Sequence, residues 1–251
     1  MQHKVLLKTP HFQVDLHLRE YLDKSQELYV VHFHIGEEHS RQFSGAMYLK
    51  NYYKDEVHLN RSDIVHQSAL DDIKYGYSTT ERIGTEVIEA FLDYVREKYP
   101  TLRTLEIADE SYFHCKDDSD DTQDVIVYSI GLYGTTWYEK RLGAYNKSKE
   151  EYDAYKAQLE VYTSEETKSK MEWYYMENII GSSPDYASRK AREHCVFFEE
   201  CYMNSKTFPE FLRMIVTVIP IHERCQFFRY WLNRLVSMYV DIDRRWYVDI
   251  L

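Results

Sequence analysis

Two short segments of this chain carry side chains whose types and spacing suit chemistry. The first, Thr80-Glu81-Arg82-Ile83-Gly84-Thr85, stands where an amphipathic helix should begin. First-turn N–H groups and the positive end of a helix dipole attract anions, and glycine lets a phosphate approach the backbone closely. Arg82 brings positive charge to that place and Glu81 negative charge. The same residues also fit an ordinary helix start capped by threonine. The second segment is Thr135-Thr136-Trp137-Tyr138-Glu139-Lys140-Arg141-Leu142-Gly143-Ala144. A tyrosine such as Tyr138, with an ordinary pKa near ~10, holds its proton at neutral pH and can deliver it as an acid. Aromatic side chains there would equally serve to pack the end of a helix.

Other constellations carry less. His32-x-His34 places two imidazoles on one face of a strand, with His39 in the following turn, but no carboxylate or cysteine stands in register to complete a metal site. The expected metal complement is none. Asp117 to Asp124 holds five aspartates without the glycine and final glutamate of an EF-hand loop, so it reads as a solvated acidic loop. His194-Cys195 and Cys201 lie near Phe197 and Phe198 in a helical stretch and assemble no nucleophilic triad, so both cysteines are expected in a core. Arg189-Lys190-Ala191-Arg192 is balanced by Glu193, Glu199 and Glu200, as on a solvated helix face.

The elements that must position these residues follow from periodicity. Phe12, Val14, Leu16 and Leu18 alternate with polar residues, which predicts a half-buried strand over 11–19. Leu28 to Ile35 and Gln42 to Lys50 read as an antiparallel hairpin, and a shorter strand is expected around Glu56 to Leu59. Ile83, Val87, Ile88, Phe91, Leu92 and Val95 fall at helical spacing, with Thr79 or Thr80 as cap, and Leu102 to Ala108 reads as a buried strand. Beyond about residue 145 the pattern turns helical. Ser148 with Glu151 and Thr163 with Glu166 look like capping boxes, Ser183-Pro184 and Pro209 like helix starts, and Ile221 to Val240 like one long helix with a broad apolar face. No strand is expected in this half.

On these residues the chain resembles the GCN5-related N-acetyltransferase superfamily. Arg82-Ile83-Gly84-Thr85-Glu86-Val87-Ile88-Glu89-Ala90-Phe91 is similar to the run that follows that family's pyrophosphate loop, with Gly84 on its final glycine. Thr79 and Arg82 replace the Gln or Arg and the first glycine of the pattern. Leu105-Glu106-Ile107-Ala108-Asp109 corresponds to the strand that splays from its neighbour to admit the acetyl thioester, and Trp137-Tyr138-Glu139-Lys140 resembles the later tyrosine motif, with one extra residue before Gly143. The resemblance covers roughly residues 10–145 and departs from the family in a long interval over 110–124.

The resemblance implies acetyl-CoA as cofactor, held at Arg82, Ile83, Gly84 and Thr85. It implies Tyr138 as general acid toward the departing thiolate, and Glu106 or Asp109 as the base that deprotonates an amine substrate, with His58 and His66 behind them. A diverged form of the kind large DNA viruses carry fits these departures. The same fold without catalysis, serving interaction or viral assembly through the aromatic C-terminal helices, is the alternative.

Composition frames both readings. With 31 Lys plus Arg against 42 Asp plus Glu, the net charge of −11 opposes phosphate backbones and anionic membranes, so neither nucleic acid nor membrane is an expected partner, and a cationic substrate suits it. The four cysteines lack CxxC spacing and no secretory leader opens the chain, which predicts a reduced, cytoplasmic protein. The expected fold is α/β (α+β): a mixed, largely antiparallel sheet with flanking helices over 1–145, followed by a mainly helical domain over 146–251.

Overall fold

The structure is a computed structural model that describes residues 2–10, 13–23, 28–35, 43–50, 58–66, 83–98, 104–108, 112–114, 122–146, 148–182, 186–220 and 223–249. Along the chain, strands β1 (Gln2–Lys8), β2 (Gln13–Asp23), β3 (Leu28–Ile35), β4 (Phe43–Lys50) and β5 (His58–His66) precede helix α1 (Ile83–Lys98) and strand β6 (Thr104–Ala108). Short strands β7 (Tyr112–His114) and β8 (Thr122–Asp124) follow. Then come helices α2 (Val125–Tyr133), α3 (Trp137–Leu142), α4 (Lys149–Thr163), α5 (Glu165–Ser169), α6 (Trp173–Gly181) and α7 (Tyr186–Glu193). The chain continues through α8 (Cys195–Asn204), α9 (Phe208–Ile215), α10 (Arg224–Phe228) and α11 (Trp231–Ser237) to strand β9 (Arg245–Asp249). The protein is thus α+β.

Two compact units share these elements. One comprises Met1–Ser111, Arg141–Lys147 and Arg244–Leu251; the other comprises Tyr112–Lys140 and Ser148–Asp243. Where the sequence suggested one boundary near residue 146, the chain passes between the units near residues 111, 140, 147 and 243.

In the first unit, β1 to β5 form an antiparallel meander in chain order. The alternation that predicted β2 decides its faces: Leu16 and Leu18 are buried, while Arg19 between Leu18 and Glu20 is exposed. The strand extends past the expected residue 19 to Asp23, because Glu20 to Asp23 continue the ladder against Leu28 to Val31. Strand β1, absent from the sequence reading, pairs Val5 with Leu16 and Leu7 with Val14. β5 likewise runs further than the expected 56–59, through a register shift at Tyr48/Leu49. Helix α1 buries Phe91, Leu92 and Val95 and packs against β1. β6 lies beside β5, and among the described residues no hydrogen-bonded ladder joins the two; its ladder is with β9, where Leu105 pairs with Val248 and Ile107 with Trp246. Tyr145 bridges to Tyr247 of β9, with backbone hydrogen bonds of 3.0 and 2.7 Å. A strand at the end of the supposedly helical half corrects the sequence reading. Trp246 and Val248 of β9 are buried and Arg245 and Asp249 exposed, an alternation too short to stand out without its partner.

The second unit is built around α2, whose Ile126, Val127, Ile130 and Leu132 are buried. A helix apolar all round belongs in a core. α2 packs on α9 and α11, and Gly131 makes the second contact close: a Cβ there would stand 2.7 Å from Leu232 Cδ1. Three of the last carbonyls of α2, which have no partner within the helix, find one. Ile130 accepts from the Gly134 N–H at 2.8 Å, Gly131 from the buried Tyr162 hydroxyl at 3.1 Å, and Leu132 from Arg213 Nη1 at 2.6 Å.

Four further expectations change in this unit. Thr122 to Asp124 of the acidic stretch form β8, paired with β7. The second capping residue is Ser164, accepting from Thr167 N, while Thr163 closes the preceding helix and donates to Leu159 O. Ser148 caps α4 as expected, accepting from Glu151 N at 3.1 Å, and Pro209 lies in the first turn of α9 behind the cap Thr207. The long helix over 221–240 is two helices separated at Arg229 and Tyr230. Its apolar residues Phe227, Phe228, Trp231, Leu232, Leu235 and Val236 are all buried within the unit, so that face is not available to a partner. Finally, Cys201 is buried but Cys195 is exposed, and Cys225 is disulfide-bonded, which departs from the expectation of reduced thiols. No helix among the described residues is long and apolar enough to cross a membrane.

Candidate functional site

Tyr138 is the residue on which the sequence argument turned. α3 is short, and its start is set by a reciprocal pair: Glu139 N donates to Thr136 Oγ1 at 3.1 Å while Thr136 N donates to Glu139 Oε2 at 3.0 Å. This is a capping box. Held one residue into the helix, the Tyr138 ring is 3% exposed and meets the Trp137 ring edge-on at 5.2 Å. Gly143, just after α3, adopts φ 64°, the left-handed conformation glycine takes without strain.

Glu139 gathers more than its cap. Its Oε2 also accepts from Thr135 Oγ1 at 3.2 Å, Thr136 Oγ1 at 3.2 Å and Tyr155 OH at 2.8 Å. Its Oε1 accepts from Tyr152 OH at 3.3 Å and from Lys156 Nζ at 3.2 Å. The side chain is only 6% exposed against 43% for Lys156. A carboxylate offers about four lone-pair directions, and here all are engaged. Glu139 therefore anchors the start of α3 to α4 and has no acceptor capacity left for a substrate proton. The anchor acts on the phenols in return. Burial, the adjacent carboxylate and the hydrogen bond to it push the Tyr155 pKa far above the ordinary value, and the same causes raise Tyr152. Sequence reading placed the motif's interest on Tyr138 and passed over Glu139; a Thr-x-x-Glu spacing at 136–139 was the available signal.

The remaining candidates belong to the first unit. Ile83, Gly84 and Thr85 form the first turn of α1. Glu106 is central in β6, paired with Tyr247. Arg82 and Asp109 lie outside the described residues, as do the Thr79 and Thr80 caps, His39, Ser183-Pro184 and most of the acidic loop. His58 and His66 are the first and last residues of β5, and His32 and His34 lie in β3; the placement described for them is that of the backbone. Among the described residues no group of His, Cys, Asp and Glu is arranged to hold a metal ion.

A second buried polar centre went unread in the sequence. Lys168, in α5, is 8% exposed and donates to the carbonyls of Tyr202 and, at 2.8 Å, Ser205, at the end of α8. Its ammonium also lies 4.1 Å from the Tyr202 ring centroid. A cation on the last carbonyls of a helix complements the dipole there, and desolvation lowers the Lys168 pKa. The Arg189-Lys190 cluster is a solvated face as expected, with ion pairs from both residues to Glu193.

No family model, curated protein or solved structure matches this chain.

Proposed function

We propose that the first unit is a diverged N-acetyltransferase-like fold that binds acetyl-CoA and transfers acetyl to a primary amine. One observation carries the reading: α1 separates in sequence two neighbouring strands, β5 and β6, that share no ladder, and β6 pairs instead with β9. A helix entering beside an unladdered strand pair is what the superfamily uses to hold pyrophosphate and admit a thioester. One late strand, β9, with Tyr145 bridged to it, is consistent with this reading. In this reading the first-turn amides of Ile83, Gly84 and Thr85 hold the pyrophosphate. The amine, losing its proton to Glu106, Asp109 or water, attacks the thioester carbonyl; the C–S bond breaks, and the departing thiolate takes a proton from water. The acidic chain favours a cationic acceptor.

Calorimetric titration of the full chain with acetyl-CoA and with CoA tests this. Saturable binding is expected, and the absence of both binding heat and thermal stabilisation at millimolar ligand overturns the reading. With binding present, Glu106→Gln should slow turnover and leave affinity nearly unchanged.

A second reading, an interaction or assembly protein, is favoured by exposed apolar side chains on the helical unit, among them Tyr174 (64%), Val196 (65%) and Met203 (70%). A wild-type chain that stays monomeric and captures no partner, or a triple variant (Tyr174→Ser, Val196→Thr, Met203→Gln) that captures one as well as wild type, would count against it.

A further inference from the structure

The helical unit contains a groove of about 870 Å³, within the range of small-molecule sites. Met171, Ile179 and Tyr239 line it, and Val161, Tyr175 and Met238 stand at its margins with roughly half their surfaces exposed. In a chain of net charge −11, the charged groups among the described residues that line it are of one sign: Lys170 and Arg234 are present and no carboxylate is. Lys170 is engaged by Glu166 at 2.5 Å. Arg234 is not so engaged. Its Nη1 donates to Ser182 Oγ at 3.1 Å, and Ser182 Oγ in turn donates to Ile179 O at 2.8 Å. This relay holds one corner of the guanidinium, and among the described residues no carboxylate lies within ion-pair distance of it. The remaining N–H groups of a guanidinium suit a carboxylate, which two of them can hold side by side.

We propose that this groove binds an amphipathic organic anion, its apolar body against Met171, Ile179 and Tyr239 and its single carboxylate on Arg234. The site is independent of acetyl transfer: it requires none of the residues assigned to acetyl-CoA.

Calorimetry of the full chain with dodecanoate below its micellar concentration tests the proposal, with dodecylamine and dodecanol as arms that keep the tail and change the head. Dodecanoate should saturate one site and bind at least about tenfold more tightly than dodecylamine. Arg234→Glu should weaken dodecanoate by about tenfold or more and leave dodecanol nearly unchanged. Met238→Glu, at an exposed position that folding tolerates, should weaken both. Absence of saturable dodecanoate binding, equal affinity for amine and carboxylate, or undiminished binding to folded Arg234→Glu protein would each overturn it.

Discussion

The hydroxyl of Tyr155 donates to the carboxylate of Glu139 at 2.8 Å, joining the start of α3 to the middle of α4 through a group almost closed to water. That contact makes Glu139, rather than its neighbour Tyr138, the residue on which the local fold depends. Glu139→Ala should lower unfolding free energy by about 2–3 kcal/mol, the scale of hydrogen bonds to a charged group. Tyr155→Phe should cost about 2 kcal/mol by the same scale. Lys156→Met should cost less than about 1 kcal/mol, because water screens its half-exposed ammonium. Urea denaturation followed by far-UV circular dichroism orders the three, and a Lys156 effect exceeding that of Glu139 would refute the assignment.

The raised tyrosine pKa values set an alkaline limit. A tyrosine whose folded pKa exceeds its unfolded value near ~10 keeps its proton in the native state when the unfolded chain has lost it. Stability from such groups is complete below pH ~10 and falls as pH rises beyond it. Tyr155, Tyr162 and Tyr202 are all raised chiefly by burial, and Tyr94 in the first unit is pushed up to about 12 by burial and by Glu20 and Glu97. Lys168 works in the opposite sense: its lowered pKa withholds stability that returns as pH approaches its unfolded value. The tyrosines outnumber it, so chemical stability should decline from pH ~10 upward, with part of the phenolate absorbance at 295 nm appearing only on unfolding. Tyr155→Phe should make that decline shallower. A stability profile flat through this window would contradict the burial of these phenols.

Gly134 ends α2 with φ 67°, and a Cβ there would stand 2.5 Å from Thr163 Cγ2. Gly134→Ala should therefore destabilise by about 2 kcal/mol, combining left-handed backbone strain with a steric shift of Thr163. Adding Thr163→Ser relieves the second contribution and not the first. Thermal melts of the single and double variants separate the two.

The thiols should divide by environment. Cys195 is exposed and should be alkylated in the native protein, whereas Cys201, 3% exposed and with burial raising its pKa, should react only after unfolding. Cys225, disulfide-bonded, should react only after unfolding and reduction. Peptide mapping by mass spectrometry after sequential labelling checks all three, and labelling of Cys225 before reductant would remove the disulfide.

Features that neighbouring residues settle among themselves were legible before any partner was known. Alternation marked the buried Leu16 and Leu18, helical spacing marked Phe91, Leu92 and Val95, and Ser148 declared the start of α4. Tertiary structure decided what depends on distant partners. β9 is a strand because Val248 and Trp246 pair in register with Leu105 and Ile107, and five residues of alternation name a face without naming a ladder. Glu139 became an anchor because Tyr152, Tyr155 and Lys156 converge on it from one side of α4, so a motif legible as chemistry is also a joint. The interrupted helix at Arg229 and Tyr230 and the charge sign of the groove belong to the same class. Periodicity records which side of an element is apolar; only packing determines what covers it and which polar groups it brings together.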